Sequence, residues 1–201
     1  MNTARDLAIV AVDVAPDRLV EQGDLSLALA GAEVLDLLDT LALSLDGDRI
    51  VPGAQSVTGD RLLDEAASSL VRQEPYESVE DWLWRRGRGL SSAYVGDMER
   101  EGLTTRPRGR RIPLRTGRAV LVDSPDRRRA DERRASGEPV LTALAAAAGI
   151  QDVAAENLTD VGDEVVTTVL AAVGDAVTEL RAVRERRAIE DAAFDNVWRG
   201  F

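Results

Sequence analysis

Apolar residues recur along the chain in patterns that favour helices over strands. The clearest stripe, with apolar steps of three and four, predicts a helix from about Asp160 to Arg187. Asp24–Leu41 is apolar on nearly every side, which is typical of a helix at the centre of a core. Asp6–Val14 is also apolar, but its pattern fits a strand or a helix. Together these segments predict a mainly α fold, a helical bundle around a buried central helix, in a single domain over residues 1–201.

Two segments carry the signature of a β-hairpin. Alternating residues flank the turn signal Asp46–Gly47 in the run LALSLDGDRIV. The run LTTRPRGRRIPL, from Leu103 to Leu114, has two extended arms around an arginine-rich tip at Arg108–Gly109. The arm residues that we expect to form this second hairpin are Leu103, Thr104, Thr105, Ile112 and Leu114.

Capping signals predict where the helices between the hairpins begin. We expect Thr58 to cap a helix that carries the run RLLDEA. Ser78, with Asp81 three residues later, predicts a capping box at the start of the next helix. Ser91–Glu101 predicts a third short helix, which Gly102 stops.

The chain after the second hairpin alternates between charged and small residues. Arg118–Ala135 is very charged, and we expect its helical part to be broken at Pro125. Glu138–Ala148 is rich in alanine and predicts a small buried helix that ends at Gly149.

The composition excludes several kinds of chemistry. The 201 residues contain no cysteine and no histidine, which excludes disulfides, thiol catalysis and every catalytic dyad that needs an imidazole. No carboxylate spacing matches a known metal loop, so we expect no metal, no cofactor and no enzymatic activity. The first residues do not resemble a signal peptide, and no apolar run is long enough to span a bilayer. We therefore expect a protein that is cytoplasmic or peripheral on the inner face of the membrane.

Positive charge is concentrated in one belt of an acidic protein. The net charge is −11, and all 25 basic residues are arginine. The segment from Arg85 to Arg134 has 15 arginines and 7 acids, a net charge of +8, and the remainder carries −19. A guanidinium group donates two parallel hydrogen bonds to a phosphate, so the belt predicts contact with a phosphate-bearing partner. The candidate phosphate-binding residues are Arg85, Arg86, Arg88, Arg106, Arg108, Arg110, Arg111 and Arg115.

Two tryptophans lie at the start of this belt. Residues two positions apart in a helix cannot both face inward. We expect Trp82 to pack in the core and Trp84 to be exposed beside the arginines, where an amphipathic ring suits a lipid interface.

Five segments resemble one known family in order and spacing. The run TGDRLLDEA, Thr58–Ala66, follows a hairpin and is the most recognisable of them. The others are LALAGAEVLDLL, VEDWLWRRGRG, EREGLTTRPRGRRIPL and PVLTALAAAAGI. Over nearly the whole chain the pattern is similar to the Golgi phosphoprotein 3 family.

This resemblance implies a helical adaptor that binds phosphatidylinositol 4-phosphate and is not an enzyme. It also implies that the hairpin from Leu103 to Leu114 contributes to oligomerisation. Of the residues that form the lipid pocket of the family, one arginine matches Arg88. Ala30 and Ser91 stand at the positions of two further arginines, and Glu21 stands near the position of a tryptophan. The leading hypothesis is a peripheral membrane adaptor that recognises an anionic phospholipid headgroup, with an unknown protein partner.

Three other interpretations stay open on the sequence. The chain fits a cytoplasmic protein–protein interaction module that keeps the fold without the lipid site. It also fits a winged-helix DNA-binding protein whose wing is the second hairpin, although Ser91–Glu101 ends in acids and makes a poor recognition helix. Finally, the arginine belt fits a solvated face that pairs with the acids of the protein itself or of a second subunit.

Overall fold

The computed structural model describes residues 2–14, 20–54, 57–105, 120–150 and 163–199, with the backbone alone for residues 193–199. Its helices are α1 Thr3–Asp13, α2 Gln22–Asp39, α3 Arg61–Ser68, α4 Val79–Arg86, α5 Leu90–Arg100, α6 Pro125–Ala135, α7 Pro139–Ala147 and α8 Glu164–Arg199. Its strands are β1 Leu43–Asp46, β2 Arg49–Pro52, β3 Thr104–Thr105 and β4 Val120–Leu121. The predicted mainly α fold is confirmed.

Helix α2 is the predicted central helix. It contacts α1, α3, α4, α5, α7 and α8, and apolar residues are buried on all its sides because neighbours surround it. Trp82 of α4 is fully buried against it and donates its indole N–H to the carbonyl of Ala30 at 3.1 Å. Trp82 is therefore a core residue, as the sequence predicted. Each fully buried Leu or Val side chain in such a core contributes about 1.5–3 kcal/mol to the stability of the fold.

The apolar segment Asp6–Val14, whose pattern fits a strand or a helix, belongs to helix α1. Asn2 caps this helix by accepting the N–H of Arg5 at 2.9 Å. The carboxylate of Asp36, near the end of α2, accepts the N–H groups of Thr3 and Ala4 at 2.8 and 2.9 Å. Burial raises the pKa of Asp36 to about 6, and these hydrogen bonds limit the rise. The start of α1 is therefore fixed to the end of α2.

The first hairpin has the predicted position. Leu45 pairs with Ile50 and Asp46 with Arg49, on either side of a turn in which Gly47 has a φ of 60°. A positive φ at this position is typical of a two-residue hairpin turn.

The second hairpin closes further along the chain than predicted. Thr104 pairs with Leu121 and Thr105 with Val120, so the return strand lies beyond the predicted arm. The turn signal at Arg108–Gly109 suggested a short loop, whereas the observed pairing spans residues 106–119. Those residues lie outside the described part of the chain, and with them the predicted arm residues Ile112 and Leu114.

Two predicted helix boundaries are wrong. Asp60, not Thr58, caps α3, because its carboxylate accepts the N–H groups of Leu62 and Leu63 at 2.9 and 3.1 Å. Pro125 does not break a helix but begins α6. Proline suits the first helical position because the N–H that it lacks would have no partner within the helix there.

The remaining boundaries agree more closely with the sequence. Ser78 and Asp81 form the predicted capping box at the start of α4. The backbone of α8 continues to Arg199, beyond the predicted end at Arg187, because charged residues on an exposed helix do not stop it. Among the described residues, no helix combines the length and the apolar character that crossing a bilayer requires.

Candidate anion-binding site

The amino end of α2 meets the turn between α4 and α5 and one face of α8 around an open cavity. Its volume is about 260 Å³. The lining residues that matter for binding are Gln22, Gly23, Ser26, Trp84, Arg88 and Leu180. Three separate parts of the chain therefore contribute to one concave surface.

The turn between α4 and α5 lies against α2 and requires glycine at position 87. A Cβ atom there would lie 2.6 Å from the carbonyl oxygen of Leu83 in α4, which is too close, and 3.4 Å from that of Ser26 in α2, which is ordinary contact. The N–H of Ser91 then donates to the hydroxyl of Ser26 at 3.1 Å. This close approach brings Arg88, which is exposed, to the rim of the cavity.

Residues that carry hydrogen-bond donors line the cavity. The side chain of Glu21 does not cap α2, and the backbone N–H groups of Gln22 and Gly23 have no acceptor among the described residues. Arg88 likewise has no ion-pair partner in the part of the chain that the structure describes. The amino end of a helix carries a partial positive charge, which favours an anion next to it. The cavity thus presents positive charge from a side chain and from the backbone.

The wall that α8 provides holds two more arginines. The carboxylate of Asp24, on the first turn of α2, receives Arg181 Nε at 2.8 Å and Arg184 Nη1 at 2.6 Å. Asp24 is buried, and two guanidinium groups surround its single charge. This wall therefore carries a net positive charge.

Arg86 lies in a closed cluster rather than at the cavity. It donates to the fully buried carboxylate of Glu33 through Nε at 2.8 Å and Nη2 at 3.0 Å, and to Glu65 at 2.7 Å. The hydroxyl of Tyr94 also donates to Glu33, at 3.2 Å. Burial raises the pKa of Glu33 to about 7, and the hydrogen bonds and charge of Arg86 limit that rise. Burial opposes the charged form of Arg86, but the two carboxylates raise its pKa well above the ordinary value.

The other members of the arginine belt are distributed differently. Arg85 donates to both oxygens of Glu77, at 3.1 and 2.6 Å, and its guanidinium lies 5.0 Å from the centre of the Trp82 ring. Trp84 is half-buried and lines the cavity, where the sequence predicted an exposed ring. Arg106, Arg108, Arg110, Arg111 and Arg115 lie outside the described residues.

Three of the five arginines of α6 are paired with acids of the protein itself. Arg129 and Arg133 both donate to the buried carboxylate of Asp6, at 2.9 and 2.7 Å, and Arg127 donates to Asp13 at 2.9 Å. For this part of the belt the structure supports the interpretation of a face neutralised by internal acids.

The sequence did not point to the wall that α8 provides. Arg181 and Arg184 lie outside the arginine belt, and the apolar stripe of α8 does not reveal which helix it packs against. The spacing of three residues does place the two arginines on one face of the helix. That shared face is the one available signal.

The acidic groups noted in the sequence have structural roles. Asp60 caps α3, and Asp64 accepts the N–H and hydroxyl of Thr58, both at 2.7 Å. Within the described ranges, no group of three or more acids is arranged to hold a metal ion. These carboxylates are explained by helix capping and local hydrogen bonds.

Comparison with known proteins gives a family. A search of curated proteins found no significant match. The model of the family described as Golgi phosphoprotein 3 (GPP34) matches residues 4–193, which is nearly the whole chain and includes α2, the turn between α4 and α5, and most of α8. The chain therefore belongs to the Golgi phosphoprotein 3 family.

Proposed function

We propose that the chain is a non-enzymatic peripheral adaptor that binds the phosphate of an anionic phospholipid headgroup in this cavity. The observation that carries the proposal is Arg88, an exposed arginine at the rim of a cavity that the amino end of α2 also lines. Membership of the family supports phosphatidylinositol 4-phosphate as the headgroup. The adaptor would then act at the inner face of the membrane.

The chemistry of the cavity suits a headgroup that enters from a bilayer. The planar fork of Arg88 binds two phosphate oxygens at once, and the N–H groups of Gln22 and Gly23, which have no acceptor among the described residues, stabilise the same negative charge. The ring of Trp84 lines the cavity and offers an amphipathic contact at the depth of the headgroups. Near an anionic bilayer each further arginine adds about 1 kcal/mol. The belt residues that we propose to supply this contact are Arg106, Arg108, Arg110 and Arg111.

Vesicle flotation tests the proposal. Protein is mixed with phosphatidylcholine vesicles that contain or lack phosphatidylinositol 4-phosphate, and the floated fraction is measured. We expect the wild-type protein to float only with the anionic lipid, and Arg88→Ala to reduce flotation strongly. Arg85→Ala is the matched control, because Arg85 lies three residues from Arg88, carries the same charge and pairs with Glu77. Absence of flotation for the wild type, or equal flotation of the two variants, would overturn the proposal.

A protein–protein interaction module is the second candidate. Two observations favour it: Ala30 and Ser91 are not basic, and three of the five arginines of α6 are already paired. A module of this kind would float with no vesicle composition, and its oligomerisation through the hairpin that begins at Thr104 would still be measurable by sedimentation. The DNA-binding alternative predicts a mobility shift with steep salt dependence, and an acidic chain opposes it.

A further inference from the structure

We propose that Arg184 of α8 is a second phosphate-binding residue of this cavity. When phosphate binds, Arg184 turns from Asp24 to the phosphate, and Arg181 alone keeps Asp24 neutralised. The inference rests on the proposed function because it concerns the same cavity. It adds a residue from a part of the chain that supplies none of the predicted pocket positions.

The two arginines on Asp24 are anchored unequally. Arg181 donates to Asp24 through Nε and to the carbonyl oxygen of Ala147 on α7 through Nη2 at 3.0 Å. Arg184 donates to Asp24 through Nη1 alone, at 2.6 Å, among the contacts that the described residues make. The second anchor fixes Arg181 between two helices. Arg184 keeps most of its N–H groups free for another acceptor.

Gly23 places Arg184 against the cavity. A Cβ atom at position 23 would overlap Nη2 of Arg184 and would lie 2.8 Å from a methyl carbon of Leu180. Gly23 and Leu180 both line the cavity, and the guanidinium of Arg184, which does not itself line it, lies next to Gly23. Because Gly23 has no side chain, no Cβ at this position stands between the Arg184 guanidinium and the lining of the cavity.

The balance of charge explains why Arg184 can move. Asp24 is 2% exposed and needs a cation, because an unpaired buried carboxylate is strongly destabilising. Two arginines supply one positive charge more than Asp24 requires. Arg181 alone satisfies the carboxylate, so Arg184, which is 34% exposed, is able to turn toward a phosphate without leaving Asp24 unpaired. With Arg88, the cavity then has two guanidinium groups, which matches the charge of a doubly ionised phosphate monoester.

Titration of the full-length protein with inorganic phosphate, followed by calorimetry, tests the residue without a membrane, and vesicle flotation tests it with one. We expect Arg184→Ala to weaken phosphate binding at least about tenfold, since a hydrogen bond to a charged group is lost. Arg187→Ala is the matched control, because it removes the same charge from an exposed position on the same helix. Gly23→Ala displaces Arg184 without removing it, and we expect it also to weaken binding.

Each outcome decides one of the two proposals. Loss of binding in Arg184→Ala and Gly23→Ala, with Arg187→Ala unchanged, supports the role of Arg184. If Arg184→Ala binds phosphate and vesicles like the wild type while Arg88→Ala does not, Arg184 is excluded and the proposed lipid function stands. Phosphate binding that requires Arg184, with no binding to vesicles, keeps the phosphate site and excludes the membrane function. A wild-type protein that binds neither probe overturns both.

Discussion

Arg86 and Arg88 are two residues apart, yet they have opposite environments. The side chain of Arg86 is 10% exposed and contacts two carboxylates and the carbonyl oxygen of Leu62. Arg88 is exposed at the rim of a cavity. In a sequence both residues add the same charge to the belt. The difference shows that the fold decides which guanidinium is neutralised by internal acids and which is left open to a ligand.

The end of α4 creates this difference. Arg86 is the last residue of the helix and faces α2, where it contacts the fully buried Glu33. Gly87 then ends the helix, so Arg88 belongs to the turn and no longer follows the helical face. One region is a closed cluster that stabilises the fold, and the other is an open site.

The largest expected effect breaks the closed cluster. Arg86→Ala leaves the carboxylate of Glu33 buried with only Tyr94 as a donor. Removing one partner of a buried ion pair costs about 3–5 kcal/mol. We expect a loss approaching that range in the free energy of unfolding, measured by urea denaturation at about pH 8, where Glu33 of the wild type is ionised, and a smaller loss below about pH 7, where Glu33 takes up a proton. A loss below about 1 kcal/mol, the value typical of exposed pairs, would show that the cluster is solvated and that the two regions are alike.

The pH dependence of stability sharpens the contrast. Burial raises the pKa of Glu33 from 4.5 to about 7, so the folded protein binds this proton more tightly than the unfolded chain does. The contribution of Glu33 to the free energy of unfolding should therefore fall by about 2–3 kcal/mol as the pH rises from about 4.5 to about 7. Urea midpoints across this range measure the slope.

Glu33→Gln is the control for this slope. Glutamine does not titrate, so the variant should lose the contribution of Glu33 and keep the smaller one from Asp36, whose pKa burial raises to about 6. An unchanged slope in the variant would exclude Glu33 as its source.

The boundary between the two regions depends on Gly87. In Gly87→Ala the new methyl group would lie 2.6 Å from the carbonyl oxygen of Leu83 in α4 itself, so the last turn of α4 must shift, and with it the turn that packs on α2. Adding one methyl group to a packed contact costs about 1–2 kcal/mol, in the lower part of the range for overpacking. Urea denaturation measures the loss. Gly96→Ala is the control, because a Cβ there meets no atom within 4 Å. Equal stability of the two variants would contradict the close approach.

Sequence reasoning reached most of the fold because its signals are local. The stripe of α8, the nearly all-apolar α2 and the capping box at Ser78 each depend on residues a few positions apart. Thr58 was mistaken for a cap because Asp60, two residues later, is an equally good one by pattern. Pro125 was mistaken for a break because its role depends on whether a helix precedes it.

The site was predicted only in part, because its contacts are distant in the sequence. The sequence offers Arg88 as a candidate, which stays a prediction, and the pairing of Arg86 with Glu33 joins residues 53 positions apart. The pairing of Arg184 with Asp24 joins residues 160 positions apart. No local pattern records which acid meets which arginine, so the charge of the belt overstated the number of free guanidinium groups.

The smallest expected effect completes the comparison. Arg88→Ala removes a side chain that is exposed and that has no ion-pair partner among the described residues. Substitutions at such positions usually change the free energy of unfolding by no more than about 0.5 kcal/mol. Urea denaturation of Arg88→Ala beside Arg86→Ala measures both regions in one experiment. A small gain in the stability of Arg88→Ala also agrees with this expectation, since the substitution removes one cation from a positively charged cavity. A loss of more than about 1 kcal/mol would mean that Arg88, like Arg86, stabilises the fold, and its strong effect on flotation could then no longer be assigned to a lost phosphate contact.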